Sequence, residues 1–287
     1  MALVAFFFRF LQGGAVFILL ERLFPLRPVV PLLRADRVND VMNLFGNGLL
    51  LLVILRLWRL NVPDVLGWAK PFVLSIKLSG IVQVLAVLAV ESFVYYWGHR
   101  LLHTWPLLWR FHAVHHSVQH LDWLAGFRGH VLETCYMTAL VTPVMYLLNL
   151  SIPSMGLFFA YRFFEGNIEH SNVRLPLGPL KWVVPSPWFH HWHHAMEPEA
   201  RNKNFSPYPI WDVIFGTAFM PQDRLPTRFG VHDPVPNDNY LGQVAYPFGL
   251  AAPVMRLQAW CTERVRSGLR LRTPAGGVSG VSRACGR

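Results

Sequence analysis

Long apolar runs alternate with short polar breaks along the chain, and they set the elements to expect. Ala5 to Leu20 is apolar apart from Arg9 and Gln12. ERLFPLRP follows, and Pro25 ends the helix. The N-terminus lacks a Lys or Arg ahead of this run, and no small-x-small cleavage site follows it. An uncleaved first membrane helix is therefore expected rather than a signal peptide. Val41 to Leu55 carries no charge but falls short of the ~20 residues that span hydrocarbon. Extension to Leu60 lets Arg56 and Arg59 snorkel before Pro63 closes the segment. Phe72 to Trp97 is the third run, with Lys77 near its start and Glu91 near its end. Thr134 to Tyr161 is uncharged and too long for one ordinary span. Asn149, Ser151 and Pro153 interrupt it, so the pattern predicts a helical hairpin: out from about Val131, a turn near 149–153, and back to about His170. Residues 171–258 are Pro-rich, aromatic and amphipathic, which suits short helices on a membrane surface.

The expected fold is thus all-α: a polytopic membrane helical bundle of four to five segments, with a histidine-rich helical cap. Composition agrees. Of 287 residues 53% are hydrophobic and 15% are charged, against ~25% charged in an average soluble domain. A disordered chain and a coiled coil are both excluded by the 11 Trp, 21 Phe and 22 Pro. No polar linker splits the hydrophobic body, so residues 1–258 are expected as one domain with a histidine core at 91–220. Three cysteines with no CxxC offer neither a disulfide framework nor a zinc motif.

Charge adds sidedness. The net charge is +10, and residues 262–287 hold six Arg against one Glu. Residues 259–287 therefore read as a disordered basic tail near anionic lipid. Nucleic acid is not an expected partner, because the body has no basic patch interleaved with aromatics. His99 to His116 follow the third helix and His170 to His194 follow the hairpin. An even number of crossings separates them, so both groups face one side. The tail sits on that side too, and the positive-inside rule makes it cytoplasmic.

The 13 histidines are not evenly spread. His99 and His103 form an i, i+4 pair. His112, His115 and His116 stand at i, i+3 and i+4, and His190, His193 and His194 repeat that spacing. Residues three and four apart share a helix face, with Cβ atoms ~5–6 Å apart. Each cluster can aim two or three imidazoles at one point, and imidazole suits Fe, Zn, Cu and Ni. A catalytic zinc takes about three protein ligands. Eight to ten converging imidazoles therefore imply two metal ions. No HExxH is present, so a zinc protease would lack its general base.

HRLLH, RFHAVHH and HHWHH together resemble the HxxxH, HxxHH and HxxHH pattern of the membrane-bound fatty acid hydroxylase / sterol desaturase superfamily. ERLFPLRP, FRGHVLE, IEHSN and IWDVIFGT look like stretches of its bacterial members, and the likeness covers roughly residues 17–220. The resemblance implies a non-haem di-iron oxygenase with O₂ as co-substrate, in a bacterial inner membrane. It implies His99, His103, His112, His115, His116, His190, His193 and His194 as ligands, and His130 and His170 as two more. His191 falls where the pattern tolerates other residues, and His120 and His232 have no counterpart. Gly129 stands where a bulkier residue is common before His130, leaving room beside that ring.

Ligating imidazoles need an acceptor at the second nitrogen to fix their tautomer. Asp212 and Glu133 lead the candidates, ahead of Glu91, Asp122 and Glu169. Asn172 and Asn204 either hydrogen-bond ligands or cap helices. No haem-binding HPGG and no GxGxxG after a strand is visible. Electrons are therefore expected from a separate electron-transfer protein of ferredoxin or cytochrome b5 type. A lipid-like substrate (fatty acyl, sterol or isoprenoid) is expected from the bilayer, with hydroxylation as the default and desaturation as the alternative. A histidine-rich metal transporter or metal-binding membrane protein is the rival of another class.

Overall fold

The computed structural model describes residues 2–28, 31, 34–58, 66–73 and 80–270. Among these residues every regular element is helical. They are α1 (Ala2–Leu23), α2 (Ala35–Trp58), α3 (Gly80–Thr104), α4 (Pro106–His116), α5 (Val131–Leu147), α6 (Ile152–His170), α7 (Pro187–His193), α8 (Pro209–Ile214), α9 (Tyr240–Ala245) and α10 (Ala251–Arg270). By length and composition, α3 is the one helix among the described residues that can cross a membrane, and α5 is a shorter apolar helix.

The third apolar run folds differently from its sequence pattern. Gly67–Phe72 is a 3₁₀ turn, and the α-helix begins at Gly80 and continues past Trp97 to Thr104. Its buried stripe carries on through Tyr96 and Leu102, which keeps the helix packed beyond the apolar run. Pro106 then forces Trp105 into an extended conformation and opens α4 at its first turn. Arg59, Leu60, Pro63 and Lys77 lie outside the described residues.

The hairpin forms where the pattern places it. Asn149 takes the left-handed conformation at φ 53°, which asparagine tolerates at low cost. Ser151 caps α6 by accepting from Ser154 N–H. Gln83 of α3 clamps the turn from the side. Its amide donates to Asn149 O at 2.6 Å and accepts from Ser151 N–H at 3.2 Å. Val84, Val87, Met145 and Phe158 pack beneath it.

The opposite end is held by buried charge. Arg128 is fully buried, and its guanidinium donates to Asp40 Oδ1 at 2.6 Å and to Asn237 Oδ1 at 2.8 Å. Arg34 meets the other Asp40 oxygen at 2.8 Å. Asn39 and Asn43 of α2 both donate to Gln243 Oε1 on α9. Glu21, at the end of α1, accepts from the backbone N–H groups of Trp123 and Asn172. These contacts fasten α1, α2 and α9 to the segment that carries the histidines.

One boundary is corrected. Helix α10 continues to Arg270, so residues 259–270, expected in a disordered tail, are helical. The stretch holds Ala259, Glu263, Leu269 and three Arg, which favour a helix, and most of the tail's glycines come after it. Residues 271–287 lie outside the described residues.

Asp40 neutralises two buried guanidinium groups. Asp40→Ala leaves Arg128 without its carboxylate and is expected to destabilise the fold by about 3–5 kcal/mol. Thermal unfolding of the purified protein in detergent measures this as a lowered midpoint.

Candidate metal centre

Nine histidines converge in two groups. His99, His103, His112, His116 and His193 form the first, and His115, His170, His190 and His194 form the second. Within each group the ligating nitrogens lie within 4.8 Å of one another. The groups adjoin: the rings of His116 and His194 stack at 4.4 Å.

Helical geometry explains the partition. On α4 the i, i+4 pair His112 and His116 faces the first group, while His115, offset around the helix, faces the second. On α7 the assignment is reversed. His190 and His194 point to the second group and His193 to the first. Each HxxHH motif thus serves both groups, in opposite proportion. His99 and His103 enter from the end of α3, and His170 from the end of α6.

Backbone carbonyls fix the ring orientations. Nδ1–H donates from His99 to Phe205 O at 2.6 Å, and from His115 to Arg128 O at 2.7 Å. It donates from His170 to Gly166 O at 2.7 Å, and from His193 to Lys203 O at 2.9 Å. A carbonyl only accepts, so these four rings carry their proton on Nδ1 and leave Nε2 as a bare lone pair. His112 Nδ1 meets Glu133 Oε1 at 2.8 Å. Burial pushes the His115 imidazole down to about 4. Burial, joined by repulsion from neighbouring imidazoles, holds His112, His116, His190, His193 and His194 well below the usual range. The rings are neutral at physiological pH.

The donor set fits metal cations. His115 Nε2 lies 3.3 Å from His170 Nε2, yet both rings spend their proton elsewhere. Two lone pairs at that distance repel unless a cation lies between or beside them. Nε2–Nε2 approaches of 2.9–3.0 Å also join His99 to His112, His116 to His193 and His170 to His190, where His99, His193 and His170 each present a lone pair. His103 Nε2 is buried without a hydrogen-bond partner, which is costly for an acceptor inside a protein. A divalent metal in each group would satisfy these atoms, and imidazole is a ligand type that suits iron or zinc.

The other expected site residues lie around these groups. Glu133 bonds a ligand directly. Asp212 does not: it accepts from Phe205 N–H, Ser206 N–H and the Thr217 hydroxyl. It thereby fixes the turn whose Phe205 carbonyl holds His99. Asn204 also works on backbone, donating to Phe189 O and Phe219 O and accepting from Phe219 N–H. Asn172 ties down Arg27 through its N–H and C=O, so its side-chain amide is spent on backbone and not on a histidine. In these three cases the amide or carboxylate is spent on backbone groups, with the Thr217 hydroxyl as a further partner of Asp212.

His130 stands in neither group. Its Nδ1 caps α5 by accepting from Leu132 N–H, and its Nε2 donates to Val244 O at 3.1 Å. Both nitrogens are spent on backbone, so the ring has no lone pair left for a metal. A Cβ at Gly129 would meet nothing within 4 Å, in keeping with the room expected there. His120 and His232 are exposed.

Two contributors had no signal among the motifs. His191 is fully buried, donates to the Ser171 carbonyl at 3.1 Å and accepts from Arg27 Nε at 3.3 Å, bracing the end of α6 where His170 sits. Gly126 lies against His170: a Cβ there would stand 3.1 Å from Nδ1 and 3.2 Å from Gly166 O, the acceptor of that ring.

His193→Ala takes a ligand from the first group and His115→Ala takes one from the second. Each is expected to lower the metal bound per chain, by elemental analysis, with membrane insertion unchanged. Glu133→Gln is expected to cost ~10–100-fold in metal affinity, read by chelator competition. His130→Ala is expected to leave metal content unchanged and to remove a helix cap worth about 1 kcal/mol, seen as a lower unfolding midpoint.

The family model of the fatty acid hydroxylases matches residues 84–217. Ornithine lipid hydroxylase OlsE of Rhizobium tropici is 35% identical over 167 residues, which are 58% of this chain and 50% of that protein. Alkylglycerol monooxygenase of Homo sapiens is 32% identical over 204 residues, 70% of this chain and 42% of that protein. Very-long-chain aldehyde decarbonylase GL1-4 of Oryza sativa subsp. indica is 30% identical over 146 residues, 47% of this chain and 23% of that protein. The chain spans half or less of the length of these relatives. No solved structure matches it. All nine converging histidines fall inside residues 84–217, the segment that matches the fatty acid hydroxylase family.

Proposed function

We propose that the chain is a membrane-bound, O₂-dependent non-haem di-iron oxidoreductase that hydroxylates a lipid-like substrate at a C–H bond. The observation that carries this reading is the pair of adjoining buried imidazole groups whose bare nitrogens face one another. His99, His103, His112, His116 and His193 would hold one iron, and His115, His170, His190 and His194 the other. Bound iron supplies the redox chemistry with O₂ that side chains lack. One oxygen atom enters the C–H bond and the other leaves as water, with two electrons and two protons drawn from a separate ferredoxin- or cytochrome b5-type donor.

The chain's own residues bind, orient and exclude water. Carbonyls of Phe205, Arg128, Gly166 and Lys203 hold four ligand rings, so little reorganisation is needed when metal is bound. Buried Phe189, Trp192 and Phe205 keep the surroundings apolar. In this reading the apolar helices form a bundle of four to five membrane segments. The histidine cap lies on the cytoplasmic side, and substrate comes from the bilayer. The names of the relatives, an ornithine lipid hydroxylase and alkylglycerol monooxygenases, favour lipid hydroxylation over metal transport.

The test is expression in iron-replete medium, metal analysis, and oxygen uptake with reductant and lipid extract. Two irons per chain and lipid-dependent oxygen uptake are expected. A product heavier by one oxygen atom supports hydroxylation, whereas one lighter by two hydrogens makes the enzyme a desaturase. A zinc-loaded, oxygen-inert protein from that medium would overturn the reading.

A further inference from the structure

The seam between α3 and α6 is polar where two apolar helices should be apolar. Glu91, Tyr95, His99 and His103 recur every four residues on α3, so they share one face. Arg162, Glu165 and Glu169 answer them from α6. Arg162 lies 3.7 Å from Glu91, pairs with Glu165, and sits over the Tyr95 ring at 5.0 Å. Tyr95 in turn meets the His99 ring at 5.4 Å. The seam therefore leads by continuous contact to the first histidine group, and Glu169 adjoins His170 of the second.

Carboxyl groups outnumber guanidinium groups in the seam. Three carboxylates face one guanidinium, and Glu91, Glu165 and Glu169 are only 1%, 2% and 5% exposed. Each has an oxygen with no hydrogen-bond partner: Glu91 Oε2, Glu165 Oε1 and Glu169 Oε1. Such groups are expensive in an apolar helix bundle and mark a functional site by default. A carboxylate oxygen accepts, so an N–H or O–H donor would satisfy each of these atoms.

The second observation lies at the far end of the same seam. An apolar cavity of about 420 Å³ opens between α3, α6 and α8, lined by Val84, Leu85, Leu88 and Leu157 among others. Its polar margin is Ser92, which accepts from Trp211 Nε1 at 2.9 Å, and the Tyr161–Tyr208 hydroxyl pair, 2.7 Å apart, which backs onto Glu165. An apolar cavity with a few convergent polar groups is the usual form of a small-ligand site.

We propose that this seam binds the polar end of an amphiphile through an N–H or O–H donor, with its alkyl chain in the cavity. Glu91, Glu165 and Glu169 take the donor, and a carboxylate or phosphate at that end is repelled. The inference rests on the oxygenase reading for one consequence, the position of oxidation. Ser92 at the cavity margin is seven residues from His99, about 10 Å along a helix, and Glu91 stands beside Ser92. The carbons nearest the polar end then lie closest to the metal groups, so oxidation falls near the head rather than at the tail's terminus.

The experiment is photolabelling of the metal-loaded full chain in lipid nanodiscs. Diazirine-bearing hexadecylamine, hexadecanol and hexadecanoic acid serve as probes, and the labelled peptides are mapped. The amine and the alcohol are expected to label Ile81–Ser92 and the Leu157 region at least about tenfold more than the acid. Glu91→Gln with Glu165→Gln is expected to shrink that preference. Leu85→Trp, at a cavity-rim position that is 58% exposed, fills the cavity without touching the buried seam and is expected to abolish labelling there. Equal labelling by the acid, or labelling that survives Leu85→Trp, would overturn the proposal. Labelling needs no turnover. An oxygen-inert protein that still prefers the donors defeats only the oxygenase reading, and an active oxygenase indifferent to head charge defeats only this one.

Discussion

Protons parked on Nδ1 organise this molecule. Once Phe205, Arg128, Gly166 and Lys203 accept those protons through their carbonyls, the Nε2 atoms of His99, His115, His170 and His193 have nothing to donate. Burial forbids the alternative of a second proton, because a charged imidazole in that interior loses its hydration. His115 and His170 are left with two lone pairs facing each other at 3.3 Å and no hydrogen bond to make. A cation would relieve that contact. The candidate metal centre thus depends on the backbone trace as much as on the histidines.

The surrounding fold serves that constraint. Arg128 shows the coupling most directly. Its guanidinium is locked between Asp40 and Asn237, and its own carbonyl holds His115. The buried ion pair that fastens α2 to the cap therefore also sets one ligand of the second group. Asp212 does the equivalent for the first group by fixing the turn that presents the Phe205 carbonyl. Buried charge is a poor source of stability. Here it specifies position.

The α3–α6 seam joins the apolar body to the metal groups. One helix carries Val84 and Leu88 beside the cavity, Glu91 and Tyr95 in the seam, and His99 and His103 at its end. Positions three and four residues apart thus grade from hydrocarbon-compatible to polar to histidine-bearing within one rigid element. Rigid placement of a site on a helix favours precision over a loop.

Much of this was legible in the chain of letters. Apolar runs and their breaks located the hairpin, because Asn149 and Ser151 act through local geometry alone. The four-residue and three-residue intervals placed His112, His115, His116, His190, His193 and His194 on helix faces, because a helix repeats whatever its surroundings. Other features depended on packing. The crossing of α4 and α7 decides which member of each triplet reaches which group, and spacing is blind to it. His130 has the right residue type and neighbourhood, but the start of α5 and Val244 claim both of its nitrogens. Asp212 and Asn204 act through backbone, and a carbonyl acceptor has no side-chain identity to read. Local periodicity is a property of consecutive residues, whereas hydrogen-bond competition is settled among residues that only folding brings together.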